Sequence, residues 1–238
     1  MGSLPKKVFY LPGYNLVRIL GHGAASTIWE VKCIETGRTF AVKRVCRASK
    51  SDQRFVDQIK NEYQIASKIS HSNIRKVYNL RIVRRLFVVS EVHMLMEYCP
   101  GVSVADNRPT DILEACGIFA QVANAMQAMN EAGFVHADMK PNNIIVDDNG
   151  NAKIIDLGQC CPIGTIKKRI QGTPDYIAPE QVRRFPLDAR TDVYNFGASL
   201  YWTLTGKPIP TILAKPGSMT VPGQNAMATP PEKLNADV

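Results

Sequence analysis

The run Gly21-His22-Gly23-Ala24-Ala25-Ser26 is the first segment of this chain whose residue types could do chemistry. Glycines let a backbone approach phosphate oxygens closely and aim its N–H groups at them. A dinucleotide-binding reading requires a helix next, whereas Thr27-Ile28-Trp29-Glu30-Val31 reads as strand. An ordinary hairpin turn accounts for the segment equally well on its own. Lys43 follows in the apolar stretch Phe40-Ala41-Val42. Glu62 falls on the apolar stripe of a helical segment, seven residues after Phe55 and four before Ala66. A carboxylate on a core-facing stripe is costly unless it meets a cation. Lys43, on the sheet this helix should cover, is the expected partner; a shifted helix register would instead place Glu62 in solvent. Three further segments concentrate polar groups: Val135-His136-Ala137-Asp138-Met139-Lys140-Pro141-Asn142-Asn143, then Ile154-Ile155-Asp156-Leu157-Gly158, then Gly172-Thr173-Pro174-Asp175-Tyr176-Ile177-Ala178-Pro179-Glu180.

The elements that must position these residues change character along the chain. Residues 14 to 47 alternate in the strand manner and are broken by glycine, which predicts an antiparallel meander. Gln53 to Ser70 has helical period, with Phe55, Ile59, Ala66 and Ile69 on one face. Val77 to Val83 and Phe87 to Glu97 return to strand character. After Cys99-Pro100-Gly101 the pattern becomes helical, with Asp111 and Glu114 as an N-terminal cap. Ile112, Cys116, Phe119, Ala123 and Met126 form its stripe, and Gly133 is its natural stop. Thr191 to Thr205 is apolar on nearly every side and predicts a helix buried in the middle of a domain. Gly206 to Val238 reads mostly as loop. The expected class is therefore α+β, with a β-rich lobe over about residues 1–97 and a helical lobe after it.

Composition narrows the function. Of 238 residues, 45% are hydrophobic and 21% charged, which fits a globular domain and not a disordered one. No apolar run approaches the roughly 20 residues of a membrane-spanning helix, and no signal-peptide pattern opens the chain, so a cytoplasmic location is expected. The six cysteines contain no C-x-x-C pair and there are only four histidines, which argues against zinc and for reduced thiols. The net charge of +8 suits acidic partners such as nucleotide phosphates, nucleic acid or anionic lipid, but suits a basic solvated surface as well.

Taken in order, the glycine-rich turn, Lys43, Glu62, the His136–Asn143 loop, Asp156-Leu157-Gly158 and Ala178-Pro179-Glu180 resemble the signature of the protein kinases. The resemblance runs from residue 14 to about 206 and implies a single two-lobed kinase domain over residues 1–238, with a hinge at 97–101 and a C-lobe from 102. It implies ATP as the nucleotide and Mg2+, or Mn2+ in its place, as the metal. Gly21, His22, Gly23, Ala24, Ala25, Ser26, Ile28 and Ala41 would then surround the nucleotide. Lys43 would hold its α- and β-phosphates and be held by Glu62. Met96 would be the gatekeeper, and the backbone of Glu97 and Cys99 would bond adenine. Asp138 would accept the proton of the substrate hydroxyl, Lys140 would steady the γ-phosphoryl, and Asn143 and Asp156 would ligate the metal. Asp192 would bind the backbone of the His136–Asn143 loop. Lys140 two residues after Asp138, with Thr173 ahead of Ala178-Pro179-Glu180, resembles the serine/threonine kinases of the bacterial Hanks type. A protein substrate is implied, and no nucleic acid.

Departures from the pattern sustain a second reading, a pseudokinase serving as a nucleotide-binding or scaffold module. Ser26 replaces a glycine, Leu157 replaces the usual phenylalanine, and Ala137 replaces an arginine that ordinarily pairs with an activation-segment phosphate. No arginine follows Gly206, so Glu180 lacks the partner that the resemblance implies. The helical lobe is expected to be truncated after its central helix and to be completed by a further segment or a partner chain.

Overall fold

The computed structural model describes residues 9–23, 25–210 and 228–238. Ala24 and much of the stretch from Gly206 to Val238 lie outside the described residues. The chain divides into two compact units, one running up to Lys60 and taking in Val77–Tyr98, the other comprising Asn61–Lys76 and everything from Cys99 onward.

The first unit is an antiparallel sheet of five strands, β1 (Tyr14–His22), β2 (Ser26–Cys33), β3 (Thr39–Cys46), β4 (Val77–Arg85) and β5 (Val88–Glu97), in the order β1-β2-β3-β5-β4. Alternation along β2 and β3 sends Trp29, Val31 and Val42 into one apolar cluster. Phe9 and Leu11 complete that cluster, with the Phe9 ring set edge-on to Trp29 at 5.8 Å. The strand reading began at Tyr14 and missed this preceding segment, which has no period of its own and is ordered by packing. The β4–β5 connection also differs from expectation. Phe87 does not begin a strand; it sits with Leu86 in a two-residue turn, because Arg85 pairs with Val88 across the ladder. No glycine, asparagine or proline marks this turn in the sequence.

Beside the same cluster, the Glu91 carboxylate receives Arg44 Nε at 2.7 Å and lies 3.0 Å from His93 Nε2. The Arg44 bond, and secondarily His93, hold Glu91 down at about 2. Burial pushes the His93 imidazole below its ordinary value despite its contact with Glu91.

The helix α1 runs Gln53–Ala66, four residues shorter than its period suggested. Its buried positions are Val56, Ile59, Glu62, Ile65 and Ala66, while Phe55 is only half-buried. Glu62 therefore does sit on the buried stripe.

The second unit is built on two long helices, α2 (Ile112–Glu131) and α3's larger successor α4 (Ala189–Thr205), with α3 itself short (Pro179–Arg183). Five short strands lie among them: β6 (Val102–Ser103), β7 (Phe134–Val135), β8 (Ile144–Val146), β9 (Ala152–Ile154) and β10 (Cys161–Pro162). Asp111 caps α2 by accepting from Glu114 N at 3.0 Å. Its buried face is Ala115, Ile118, Phe119, Val122, Ala125, Met126 and Met129. Cys116 and Ala123, expected on that face, are exposed. Apolar residues surround so much of α2 that period alone fixes its inward face poorly. Phe119 meets Phe196 of α4 with ring centroids 5.3 Å apart.

The reading of α4 as apolar on nearly every side is corrected. Its buried face is Thr191, Asp192, Asn195, Ala198, Ser199 and Thr203, whereas Val193 is 68% exposed. Three of these polar groups, Asp192, Asn195 and Ser199, hold backbone of other segments. Asp192 accepts from His136 N and Ala137 N, each at 2.9 Å, and from Asn130 Nδ2 at 3.0 Å. Asn195 Nδ2 donates to Tyr176 O at 2.6 Å, and Ser199 Oγ to Met139 O at 3.2 Å. No helix among the described residues is long and apolar enough to cross a membrane.

Two stability outcomes follow from these networks. Asp192→Asn exchanges an anionic acceptor for an amide that offers N–H to N–H, so urea unfolding should show a loss of about 3 kcal/mol; a loss below about 1 kcal/mol would mean the carboxylate is not what holds the loop. For Glu91, a folded pKa below the unfolded value stabilises the protein above pH 4.5, and that stabilisation is lost as pH falls toward about 2. The depressed His93 acts in the same sense, favouring the folded state once neutral. Glu91→Gln should therefore lower stability at neutral pH and flatten its fall between about pH 5 and pH 2, read as melting temperature against pH.

Candidate active site

In the first unit, the expected nucleotide-binding residues converge through strand register. Gly21 faces Ile28 across β1–β2, Ile28 faces Lys43 across β2–β3, and Lys43 faces Met94 across β3–β5. Ala41 faces Met96, and Phe40 faces Glu97 at the end of β5. Gly23 N donates to Ser26 O at 2.8 Å and closes the turn between β1 and β2. A Cβ at Gly23 would lie 2.5 Å from the Ser26 hydroxyl oxygen, which would have to turn away. Gly21 is different. Its backbone is not in the left-handed region and a Cβ there would meet no atom within 4 Å. Nothing among the described residues requires glycine at this position. His22, Ala25 and Ser26 flank the same turn, and Ala24 lies outside the described residues.

In the second unit, the loop after β7 brings three functional groups into one triangle. Lys140 Nζ lies 3.1 Å from Asp138 Oδ2 and donates to Thr173 Oγ1 at 2.8 Å. Thr173 Oγ1 in turn donates to Asp138 Oδ1 at 2.8 Å. The Asp138 carboxylate is thus held by a cation and a hydroxyl, and it is only partly buried. A carboxylate so placed can accept a proton from an incoming hydroxyl while the ammonium faces developing negative charge.

The backbone under this triangle is constrained from several sides. Ala137 has φ of 61°, a left-handed conformation that costs a residue with a Cβ about 1 kcal/mol or more. Asp192 compensates by fixing its N–H, and Gln181 Nε2 fixes its carbonyl at 2.7 Å. His136 Nδ1 accepts from Asp138 N at 3.2 Å. Gln181 also takes Asn195 Nδ2 and Ala178 N on its Oε1. The sequence reading missed Gln181; its signal was a glutamine in the helix that opens at Pro179, with no surface role. Thr173 was noted for its place in the pattern, not for direct contact with Asp138 and Lys140.

Asn143 and Asp156 approach one another through Ile155 N, which donates to Asn143 O at 3.0 Å. Asn143 Nδ2 is committed to Asp138 O at 2.9 Å, which leaves its Oδ1 as the donor atom toward a metal. Asp156 Oδ1 accepts from Gly158 N at 2.9 Å. An amide oxygen and a carboxylate make an all-oxygen set, which fits magnesium and would not suit a thiophilic metal. Close by in sequence, the fully buried Cys160 thiol is pushed well above its ordinary value, first by burial and then by Asp192 and Asp156; it stays protonated and inert.

Glu62 is 1% exposed and has Arg75 Nη2 at 3.9 Å from its Oε1. Arg75 is a cation in the same unit as Glu62 that the sequence reading overlooked. Cys99 is half-buried just after β5. Glu180, for which no arginine partner after Gly206 is expected, accepts from Thr191 Oγ1 at 2.6 Å.

A protein kinase domain model matches residues 14–220. Among curated proteins, a probable serine/threonine-protein kinase of Corynebacterium efficiens is 31% identical over 94% of this chain and 35% of its own length. Serine/threonine-protein kinase PknB of Mycolicibacterium smegmatis is 31% identical over 94% of this chain and 37% of its own length, and PrkC of Bacillus subtilis 28% identical over 82% and 30%. The chain spans about a third of the length of these relatives. With the kinase elements in order and the match running through both compact units, the chain belongs to the protein kinase family, in the likeness of its bacterial Hanks-type serine/threonine members.

Proposed function

We propose that this chain transfers the γ-phosphoryl group of ATP to serine or threonine hydroxyls of protein substrates. The observation that carries the reading is the triangle of Asp138, Lys140 and Thr173. A scaffold that merely bound nucleotide would need none of it. Asp138 accepts the hydroxyl proton as the bond to phosphorus forms, and Lys140 faces the charge on the transferring group. Thr173 holds both in register. Asn143 and Asp156 hold Mg2+, or Mn2+ in its place, which supplies charge neutralisation for the phosphates. Lys43 takes the α- and β-phosphates and pairs with Glu62, while Gly21 to Ser26 lie over them. Ile28, Ala41 and Met96 line the adenine, with the backbone of Glu97 and Cys99 as its hydrogen-bonding edge. The two compact units are read as the lobes of one kinase domain with residues 97–101 as hinge. Six free thiols, among them the buried pair Cys160 and Cys161, support a reducing, cytoplasmic setting.

Phosphate control of the activation segment is not part of this reading. Thr165 is the one hydroxyl between Asp156 and Glu180 not engaged in shaping the groove, and its Oγ1 already donates to Pro162 O at 2.6 Å. Lys167 Nζ is committed to Gln159 O at 2.7 Å, and residue 137 offers no guanidinium. An exposed local pair there is worth about 1 kcal/mol or less, too little to switch a loop.

Transfer of labelled phosphate from ATP with magnesium is the test. Asp138→Asn should lower the rate by about 100-fold or more with nucleotide binding retained; a rate within about threefold of wild type would refute the role. Asp156→Asn should abolish magnesium-dependent transfer at an unchanged melting temperature, and Thr165→Ala should keep most of the rate.

A further inference from the structure

The β4–β5 hairpin breaks local rules without any gain in packing. Its two-residue turn holds Leu86 at φ 45° and Phe87 at φ 70°. Both central residues of such a turn favour asparagine or glycine, because a Cβ is strained in the left-handed region. Leu86 is 92% exposed and Phe87 98%, so neither side chain repays that strain inside the protein. Val88, next along β5, is 53% exposed. Isolated surface apolar residues are ordinary; two adjacent large ones on a strained, protruding turn are not, and strain of this kind points outward to function.

The surroundings of the tip are basic. Arg84 and Arg85 close β4 immediately before it, both exposed. Arg85 also lines a groove of about 640 Å³ on the sheet together with Arg44, Arg47 and Arg81. Glu91 is the acidic residue lining that groove, and it is already spent on Arg44 and His93. Arg47 Nε and His93 Nδ1 are buried without a hydrogen-bond partner among the described residues, and both residues line the groove. Positive charge therefore begins at the tip and continues along β4.

We propose that this hairpin end docks on an anionic lipid surface, with Leu86, Phe87 and Val88 entering the headgroup–acyl boundary and Arg84 and Arg85 meeting lipid phosphates. A protein partner is the weaker fit, since a specific interface takes about 800 Å² from each side and a two-residue turn supplies far less. A bilayer interface imposes no such shape requirement, and it rewards apolar residues flanked by arginine. The attachment is peripheral and independent of phosphoryl transfer.

The test is co-sedimentation of the full 238-residue chain with vesicles of mixed phosphatidylglycerol and phosphatidylcholine, compared with phosphatidylcholine alone. Binding is expected only to the anionic vesicles. Leu86→Asn with Phe87→Gly installs the residues the turn prefers, so it should leave the melting temperature unchanged or raised while weakening binding about tenfold or more. Arg84→Gln and Arg85→Gln should weaken it roughly fivefold each and reduce its salt dependence. Binding that survives the Asn-Gly turn but is lost with the arginines would reduce the effect to general basicity and overturn the proposal. No vesicle binding, with a concentration-dependent self-association that the Asn-Gly turn abolishes, would make the tip a protein contact and overturn it equally.

Discussion

The Asp192 carboxylate is the constraint on which the geometry of the candidate site depends. It is 1% exposed, and a buried anion survives only where donors surround it. Here the donors are two consecutive backbone N–H groups, those of His136 and Ala137, with the Asn130 side chain as a third. Consecutive N–H groups converge on one acceptor only when the chain turns sharply, and the positive φ of Ala137 is that turn. The turn then sets the direction in which Asp138 leaves the loop. A charge in the interior thus does for the loop what a strand ladder does elsewhere: it fixes backbone so that the Asp138 side chain, one residue later, is held beside Lys140 and Thr173.

The same logic explains why α4 hides its polar face. The carboxylate of Asp192, the amide of Asn195 and the hydroxyl of Ser199, at helical spacing, meet irregular backbone from the His136–Met139 loop and from Tyr176. Irregular segments buried away from water leave N–H and C=O groups that must be paired. A helix is a rigid carrier for that pairing because its own backbone groups are already satisfied. Gln181, from the short α3, adds bonds to the carbonyls of Ala137 and Gln171 and so ties the activation segment to the loop. Thr173, 33 residues beyond Lys140 and 35 beyond Asp138, meets them because both segments hang on this buried polar network.

What could be read from sequence followed from how local each cause is. The strands β1 to β3, the Asp111 cap and the placement of Glu62 on a buried stripe were legible, because alternation, capping and period are set by neighbours in the chain. The polar loop and Asp156 stood out through residue types packed into short spans. The packing of Phe9 and Leu11 was not legible, since two apolar residues carry no period. Nor was the inward face of α2, where apolar residues lie nearly all round. For α4 the error was one of kind. Apolar residues were assumed to mark the inside, yet the interior there is irregular backbone, and its complement is polar. Arg75 and Gln181 went unnoticed for the same reason, as their partners lie in other segments.

Leu86 and Phe87 invert this lesson. There the local rule was clear, a turn between two strands wanting asparagine and glycine, and the chain supplies leucine and phenylalanine instead. Ala137 breaks a local rule too, but its strain is answered by Asp192 and Gln181 within the protein. At the hairpin nothing among the described contacts answers it, and both side chains stand almost wholly in solvent. A strained conformation of this size is stable only if something else compensates. For Ala137 the compensation is internal and serves the triangle of Asp138, Lys140 and Thr173. For the hairpin the proposed lipid surface would supply it, and the arginines along β4 set the sign of charge that surface should carry.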